Sequence, residues 1–255
     1  MKVIGMTQNG FETRLTKLKG IREGLIKNGV DNLHVCVGVG NTKTGASVHT
    51  VSLLPVIDCK NCALCKRTCY DMAHDFHHTR VIMSRARNSA IHKEDIERFW
   101  EEVSANIIAK GILLLRINVG GDLSKQDFPF VKALAEKHTR TEFMFFTKNT
   151  KELNEFLDTN EFPKNVHIIV SRWIDDNIEN KHNLPESHVL FTKLTHEGVD
   201  AFLASGEKPL SVLGATSCTS EKPMELCGGN CSACFIEGKG CWFAKKGTDI
   251  ILPAH

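Results

Sequence analysis

The sequence predicts an α/β fold, and three observations carry that prediction. Beyond residue 112, short apolar runs alternate with amphipathic segments, the pattern of parallel βαβ units in an α/β barrel or open sheet. A chain of 255 residues is long enough to bury one substantial core, as a single domain or a domain with a small appendage. Nine of the ten cysteines crowd into two short stretches, 59–69 and 218–241. The expected organisation is an α/β barrel-like domain over 1–216 that includes an N-terminal helix. A cysteine-rich cap follows over 217–255, with too little core to fold without its metal.

Each element follows from local pattern. Residues 11–28 repeat apolar positions at helical spacing and end near Asn28-Gly29, an amphipathic helix. Two β-like stretches, 34–40 and 47–54, are split by the polar turn Asn41-Thr42-Lys43-Thr44-Gly45. The first cysteine group comes next, and 80–108 then reads as helix. The alternating series runs strand 112–119, helix 124–138, strand 142–147, helix 151–158 and strand 166–171. It continues with strand 188–194, helix 196–205 and a closing apolar run at 209–216.

The cysteine spacings point to metal chemistry. Cys59, Cys62, Cys65 and Cys69 follow C-x2-C-x2-C-x3-C, the spacing of bacterial ferredoxins, with Tyr70 where a proline usually stands. Cys218, Cys227, Cys231, Cys234 and Cys241 offer five thiolates where a site usually takes four, so one is spare or Cys218 turns to the first group. Thiolates so closely spaced converge on one point, as an iron–sulfur cluster or a tetrahedral zinc requires. The preferred reading is two [4Fe–4S] clusters, with zinc as the alternative at the C-terminal site. Cys36 stands apart and reads as a buried core thiol.

Bulk properties narrow the setting. The net charge is +2, which does not indicate electrostatic capture of nucleic acid, and no apolar run reaches membrane length because Arg116 interrupts the most apolar one. The opening MKVIGMTQNGF lacks a signal-type apolar stretch, and ten cysteines then argue for reduced thiols in a cytoplasmic protein.

The ends of the predicted strands carry polar residues, where parallel α/β folds place their chemistry. The candidates are Asn118, Gly120, Gly121 and Asp122 after the third strand, Lys148 after the fourth and Arg172 after the fifth. Glycines let the backbone approach a ligand, Asp122 accepts from an ammonium or hydroxyl, and Lys148 and Arg172 suit a carboxylate or phosphate. Individually each also reads as an ordinary solvated loop residue. His74, His77 and His78 share helical spacing beside the first cysteine group, but beside Arg80 they read as a solvated face. Trp173 and Trp242 read as packing residues.

Strand, cysteine loop, helix, strand and Gly-Gly-Asp, in that order, resemble the opening of radical S-adenosylmethionine (SAM) enzymes. The resemblance implies a partial (β/α) barrel and a cofactor-binding role for Gly120, Gly121 and Asp122. The three-cysteine spacing of that superfamily occurs intact only at Cys227, Cys231 and Cys234. The chain is also similar to the phage-associated gene product 88 family. That similarity rests on Asn41-Thr42-Lys43-Thr44-Gly45, Ser52-Leu53-Leu54-Pro55, Cys69-Tyr70, Arg87-Asn88, Arg116 to Asp122, and Phe146-Thr147-Lys148. It implies a host cytoplasm as the setting.

Three functions remain open at this level. The first is an iron–sulfur enzyme whose open iron binds SAM and draws on an electron donor, with Asn118, Asp122, Lys148 and Arg172 facing the substrate. The second uses the open iron as a Lewis acid in an esterase-like hydrolase. The third is a metal-stapled module binding nucleic acid or a protein through Lys60, Lys66, Arg67, Arg80, Arg85 and Arg87; the near-neutral overall charge and the lack of interleaved aromatics make this reading the weakest. The sequence does not encode the substrate.

Overall fold

The computed structural model describes residues 6–40, 44–59, 66, 69, 71–72, 78–172, 179–189, 224–226 and 230–252. Helix α1 spans Gln8–Lys27, and the Thr7 hydroxyl caps its start by accepting from the Gly10 N–H. Strands β1 (Val37–Val39) and β2 (Val48–Val51) pair antiparallel. Helices α2 (Thr79–Glu94) and α3 (Ile96–Lys110) follow, then β3 (Leu114–Ile117), α4 (Asp127–Lys137), β4 (Glu142–Thr147), α5 (Thr150–Leu157) and β5 (Val166–Arg172). The remaining elements are β6 (Glu186–Val189), β7 (Met224–Leu226), α6 (Cys231–Ile236), a 3-10 turn at Gly240–Trp242 and β8 (Asp249–Leu252).

The eight described strands form one mixed sheet in the order β1-β2-β3-β4-β5-β6-β8-β7. Every pairing except β1 with β2 is parallel. Parallel pairing aligns the C-terminal ends of β2, β3, β4 and β5 along one edge, and the loops that leave this edge carry most of the candidate residues. Strands β7 and β8 come from the cysteine-rich segment, and β8 joins the main sheet through β6. That segment therefore contributes to the sheet as well as packing on it.

The helices settle on one face for a reason visible in their spacing. In α3, Phe99, Trp100, Val103 and Ile107 are buried, a stripe at helical period. It meets Val51, Leu115, Ile117, Phe143 and Phe145 from the sheet. Full burial of each such side chain contributes roughly 1.5–3 kcal/mol. A smaller apolar cluster joins Phe11 and Leu18 of α1 to Leu54, Met72, Ile82 and Ala86. The opposite face of the sheet is met by the cysteine-rich segment, where Val48, Leu114 and Met144 pack with Cys234 and Trp242. Trp242 is fully buried, as a packing residue should be.

Four expectations need revision. The single helix expected over 80–108 is two, because Asp95 leaves helical geometry and its carboxylate caps α3 by accepting from the Arg98 N–H at 2.9 Å. Strand β3 stops at Ile117 because Asn118 turns left-handed, with φ of 55°. Strand β6 begins at Glu186, two residues earlier than expected. Cys36 is half-buried rather than core: the flanking Val35 and Val37 turn inward, and its thiol faces the His34 carbonyl. The expected helix 196–205, the run 209–216 and the boundary at 216 lie outside the described residues, as do His74, His77 and Trp173. Among the described residues, no helix is long and apolar enough to cross a membrane.

Candidate functional site

The segment leaving β2 and the segment leaving β3 are laced together at the C-terminal edge of the sheet. The Asn118 N–H donates to the Val51 carbonyl at 2.7 Å, and the Val119 N–H to the Ser52 hydroxyl at 3.1 Å. The Leu53 N–H donates to the Gly120 carbonyl at 3.0 Å, and the Asp122 N–H to the Asp58 carbonyl at 3.0 Å. Asp58 closes its own loop by accepting from the Leu54 N–H, and Arg22 of α1 pairs with its other oxygen at 3.1 Å. The loop so fixed ends in Cys59, whose sulfur accepts from the Val56 N–H at 3.3 Å. Val56 sits at φ of 67°, a costly conformation for a β-branched residue that the surrounding bonds must hold.

Asp122 joins this edge to β4. Its Oδ1 accepts from the Leu123 N–H at 2.8 Å and its Oδ2 from the Lys148 N–H at 2.9 Å. Burial pushes its carboxyl up to about 6, opposed by the Lys148 and Leu123 amides, the Thr147 hydroxyl and the Lys148 charge. A carboxyl in that range stands ready to exchange a proton near neutral pH. Asn149 continues the lacing, donating to the Leu123 carbonyl at 3.0 Å and to Glu152. Arg172 is the last residue of β5, on the same edge, paired in register with His188.

The glycines are required by a close approach, and what they approach is protein. A Cβ on Gly120 would lie 2.1 Å from Asp71 Oδ2 and 2.6 Å from Arg85 Nη1. Those two side chains form a buried ion pair at 2.5 Å. Gly121 has φ of 83°, and a Cβ there would lie 2.8 Å from Leu53 Cβ. Of the basic run considered for nucleic acid, Arg85 is thus committed to an internal pair. Asn88, from the Arg87-Asn88 motif, is also internal: its amide donates to the Cys36 and Ser52 carbonyls and accepts from the Cys36 N–H.

The described cysteines are Cys36, Cys59, Cys69, Cys231, Cys234 and Cys241; Cys234 is buried and the other five are half-buried. Val56, Ile57 and Cys69 pack on the same small apolar cluster, so both ends of the first cysteine run come to one region. Cys231 and Cys234 lie one turn apart on α6, which the Asn230 side chain caps by accepting from the Ala233 N–H at 3.0 Å. Cys241 stands in the 3-10 turn, and all three pack with Trp242, whose indole N–H donates to the Cys231 carbonyl. Cys62, Cys65, Cys218 and Cys227 lie outside the described residues. Among the described residues no three His, Cys, Asp or Glu side chains gather as a metal-holding group. The donor chemistry fits iron–sulfur ligation where it is described: half-buried thiols, one receiving a backbone N–H, beside apolar packing.

Two features escape a reading for motifs alone. Asp71 and Arg85 are spaced too far apart in sequence to announce a pair. Arg116 was read as an interruption of an apolar run and as the start of the Arg116-to-Asp122 motif, yet a charge inside a buried strand pattern is itself the signal. Its guanidinium lies 4.7 Å from the Phe146 ring centroid, and its Nε is buried without a hydrogen-bond partner.

No curated protein and no solved structure matches the chain significantly. A family model does match: Gene product 88, over residues 25–193, more than half of the chain. The match covers the Cys59 loop, the Asn118-to-Asp122 segment, Lys148 and Arg172, and stops short of the second cysteine group. With the laced edge and these residues inside the matched span, the chain belongs to the Gene product 88 family.

Proposed function

We propose that this protein is an iron–sulfur enzyme that works at the C-terminal edge of its sheet, in a partial barrel organised like that of radical SAM enzymes. One observation carries the reading: four backbone and side-chain hydrogen bonds fasten the loop ending in Cys59 to the Asn118-to-Asp122 segment. A cysteine-bearing loop is thereby held in fixed relation to a buried carboxyl that titrates near 6. In parallel α/β folds that edge is where ligands bind.

Three of Cys59, Cys62, Cys65 and Cys69 would hold the first cluster and leave one of its irons without cysteine, while a second would draw its ligands from Cys218, Cys227, Cys231, Cys234 and Cys241, with zinc as the alternative there. A cluster with one iron free of cysteine supplies either an electron to bound SAM or a Lewis acid toward a carbonyl or water. The chain's own residues set the frame. Asp122 fixes the post-β4 backbone through Lys148 and would move a proton when its carboxyl is protonated, while Lys148, just after β4, and Arg172, the last residue of β5, would orient an anionic substrate. The setting proposed is the host cytoplasm.

The test is electron paramagnetic resonance of anaerobically purified, reduced protein with and without SAM. A cluster signal that shifts with SAM is the expected result. A cluster signal indifferent to SAM transfers the assignment to the Lewis-acid hydrolase, to be pursued with ester substrates. Colourless, zinc-loaded protein with no iron signal would refute both enzyme readings.

A further inference from the structure

Arg116 occupies an unusual position for a permanent cation. It pairs in register with Thr50 and Met144, in the middle of three parallel strands. Alternation puts it on the sheet face away from α3 and α4, because its neighbours Leu115 and Ile117 belong to the helix-covered core. Two residues earlier on the same face, Leu114 packs with Cys234 and Trp242. Arg116 therefore stands one pleat repeat, roughly 7 Å, from that apolar plug toward the C-terminal edge.

Among the described residues its guanidinium meets a ring, and its Nε has no acceptor. Met144 is fully buried, Phe146 stacks against the guanidinium, and the nearest acid on that face of β4, Glu142, is bound to His167 at 2.7 Å. Arginine does not lose its proton in proteins, so the charge persists. A buried N–H donor left without an acceptor costs about 1–3 kcal/mol. Two residues further along, a second donor is in the same condition. Asn118 is 5% exposed, is held at left-handed φ, and its Nδ2 has no hydrogen-bond partner.

Two buried donor atoms lack a partner, Arg116 Nε near the end of β3 and Asn118 Nδ2 in the turn that follows it, and both call for oxygen acceptors from outside the chain. We propose that Arg116 and Asn118 form the recognition site for a small oxyanion, a carboxylate or phosphate group of the substrate, seated between the Trp242–Cys234 plug and the C-terminal edge. The planar fork of Arg116, braced by Phe146, suits two oxygens of one such group, and the Asn118 amide supplies a further donor. The inference rests on the proposed function for what happens to the anion, whereas the binding itself needs only these side chains.

The experiment is calorimetric titration of anaerobically purified full-length protein with inorganic phosphate and, separately, with acetate, at constant ionic strength set by chloride. Saturable binding of at least one probe, on the order of millimolar, is expected. Arg116→Gln should weaken it by about tenfold to a hundredfold, and Arg116→Lys, which keeps the charge but loses the fork, by about tenfold. Asn118→Gly keeps the left-handed backbone and should weaken binding about tenfold. The stronger probe identifies the group as phosphate or carboxylate. Absence of binding by both probes, or equal binding by the wild-type and folded Arg116 variants, would overturn the proposal. Iron content and the resonance spectrum are read on the same samples. Anion binding by iron-free protein would sink the cluster reading and leave this one standing.

Discussion

Replacing Gly120 by alanine isolates the contact that makes glycine obligatory at the post-β3 turn. Gly120 has no left-handed φ to forbid a side chain, so any penalty comes from what the new methyl group meets. It would fall 2.1 Å from Asp71 Oδ2 and 2.6 Å from Arg85 Nη1, in a pair whose side chains are only 6% and 10% exposed. Neither distance is tolerable for a carbon, so the ion pair must part or the loop must lift off the edge. Breaking a buried pair costs about 3–5 kcal/mol, a large share of a typical folding free energy of 5–15 kcal/mol. With a urea dependence of about 3 kcal/mol per molar, the unfolding midpoint should fall by about 1–2 M at unchanged slope. The control is the same substitution in an Asp71→Ala/Arg85→Ala background, where the methyl group finds room and should cost under about 1 kcal/mol. A midpoint shift below about 0.2 M in the wild-type background, or an equal shift in both backgrounds, would refute the close-approach account.

Asp122 predicts a pH dependence of known sign. Its folded-state carboxyl titrates at about 6 against an ordinary 3.8, so folding takes up a proton between those values and the fold is favoured below that window. Stability attributable to this group should fall by about 3 kcal/mol as pH rises from about 4 to above 6. Comparing urea midpoints of wild type and Asp122→Asn across that range should show the slope only in wild type; parallel profiles would contradict it. Asp127, at the start of α4, accepts from Trp100 at 3.1 Å and from the Ser124 N–H and hydroxyl at 2.8 and 2.7 Å, and pairs with His92 at 2.6 Å. Asp127→Ala should destabilise by about 3 kcal/mol in thermal or urea unfolding, and a loss under about 1 kcal/mol would mean that these donors find other partners.

Much of the architecture was legible because it depends on local pattern. The alternation from β3 to β5 could be read from apolar runs and amphipathic stretches, since strand and helix periods are properties of neighbouring residues. The break at Asp95 was missed because a capping aspartate inside a charged, helix-forming stretch looks like any other exposed acid until its carboxylate is seen accepting from Arg98. Gly120 and Gly121 were read as letting the backbone approach a ligand, whereas the groups a Cβ there would meet, the Asp71–Arg85 pair and Leu53, are brought there by contacts remote in sequence.

The sequence by itself determined the α/β class, the positions of most elements and the clustering of cysteines at ligand spacing, because each is encoded within a few residues of itself. Tertiary structure decided which candidates share an edge, which acid is buried until its carboxyl rises to about 6, and which charges are already spent. Arg85 and Arg116 show the difference. Both are arginines in ordered elements, yet among the described residues one meets Asp71 and the other the Phe146 ring. Ion pairing and desolvation depend on distances of a few ångströms between segments far apart in the chain, and only the folded packing sets them.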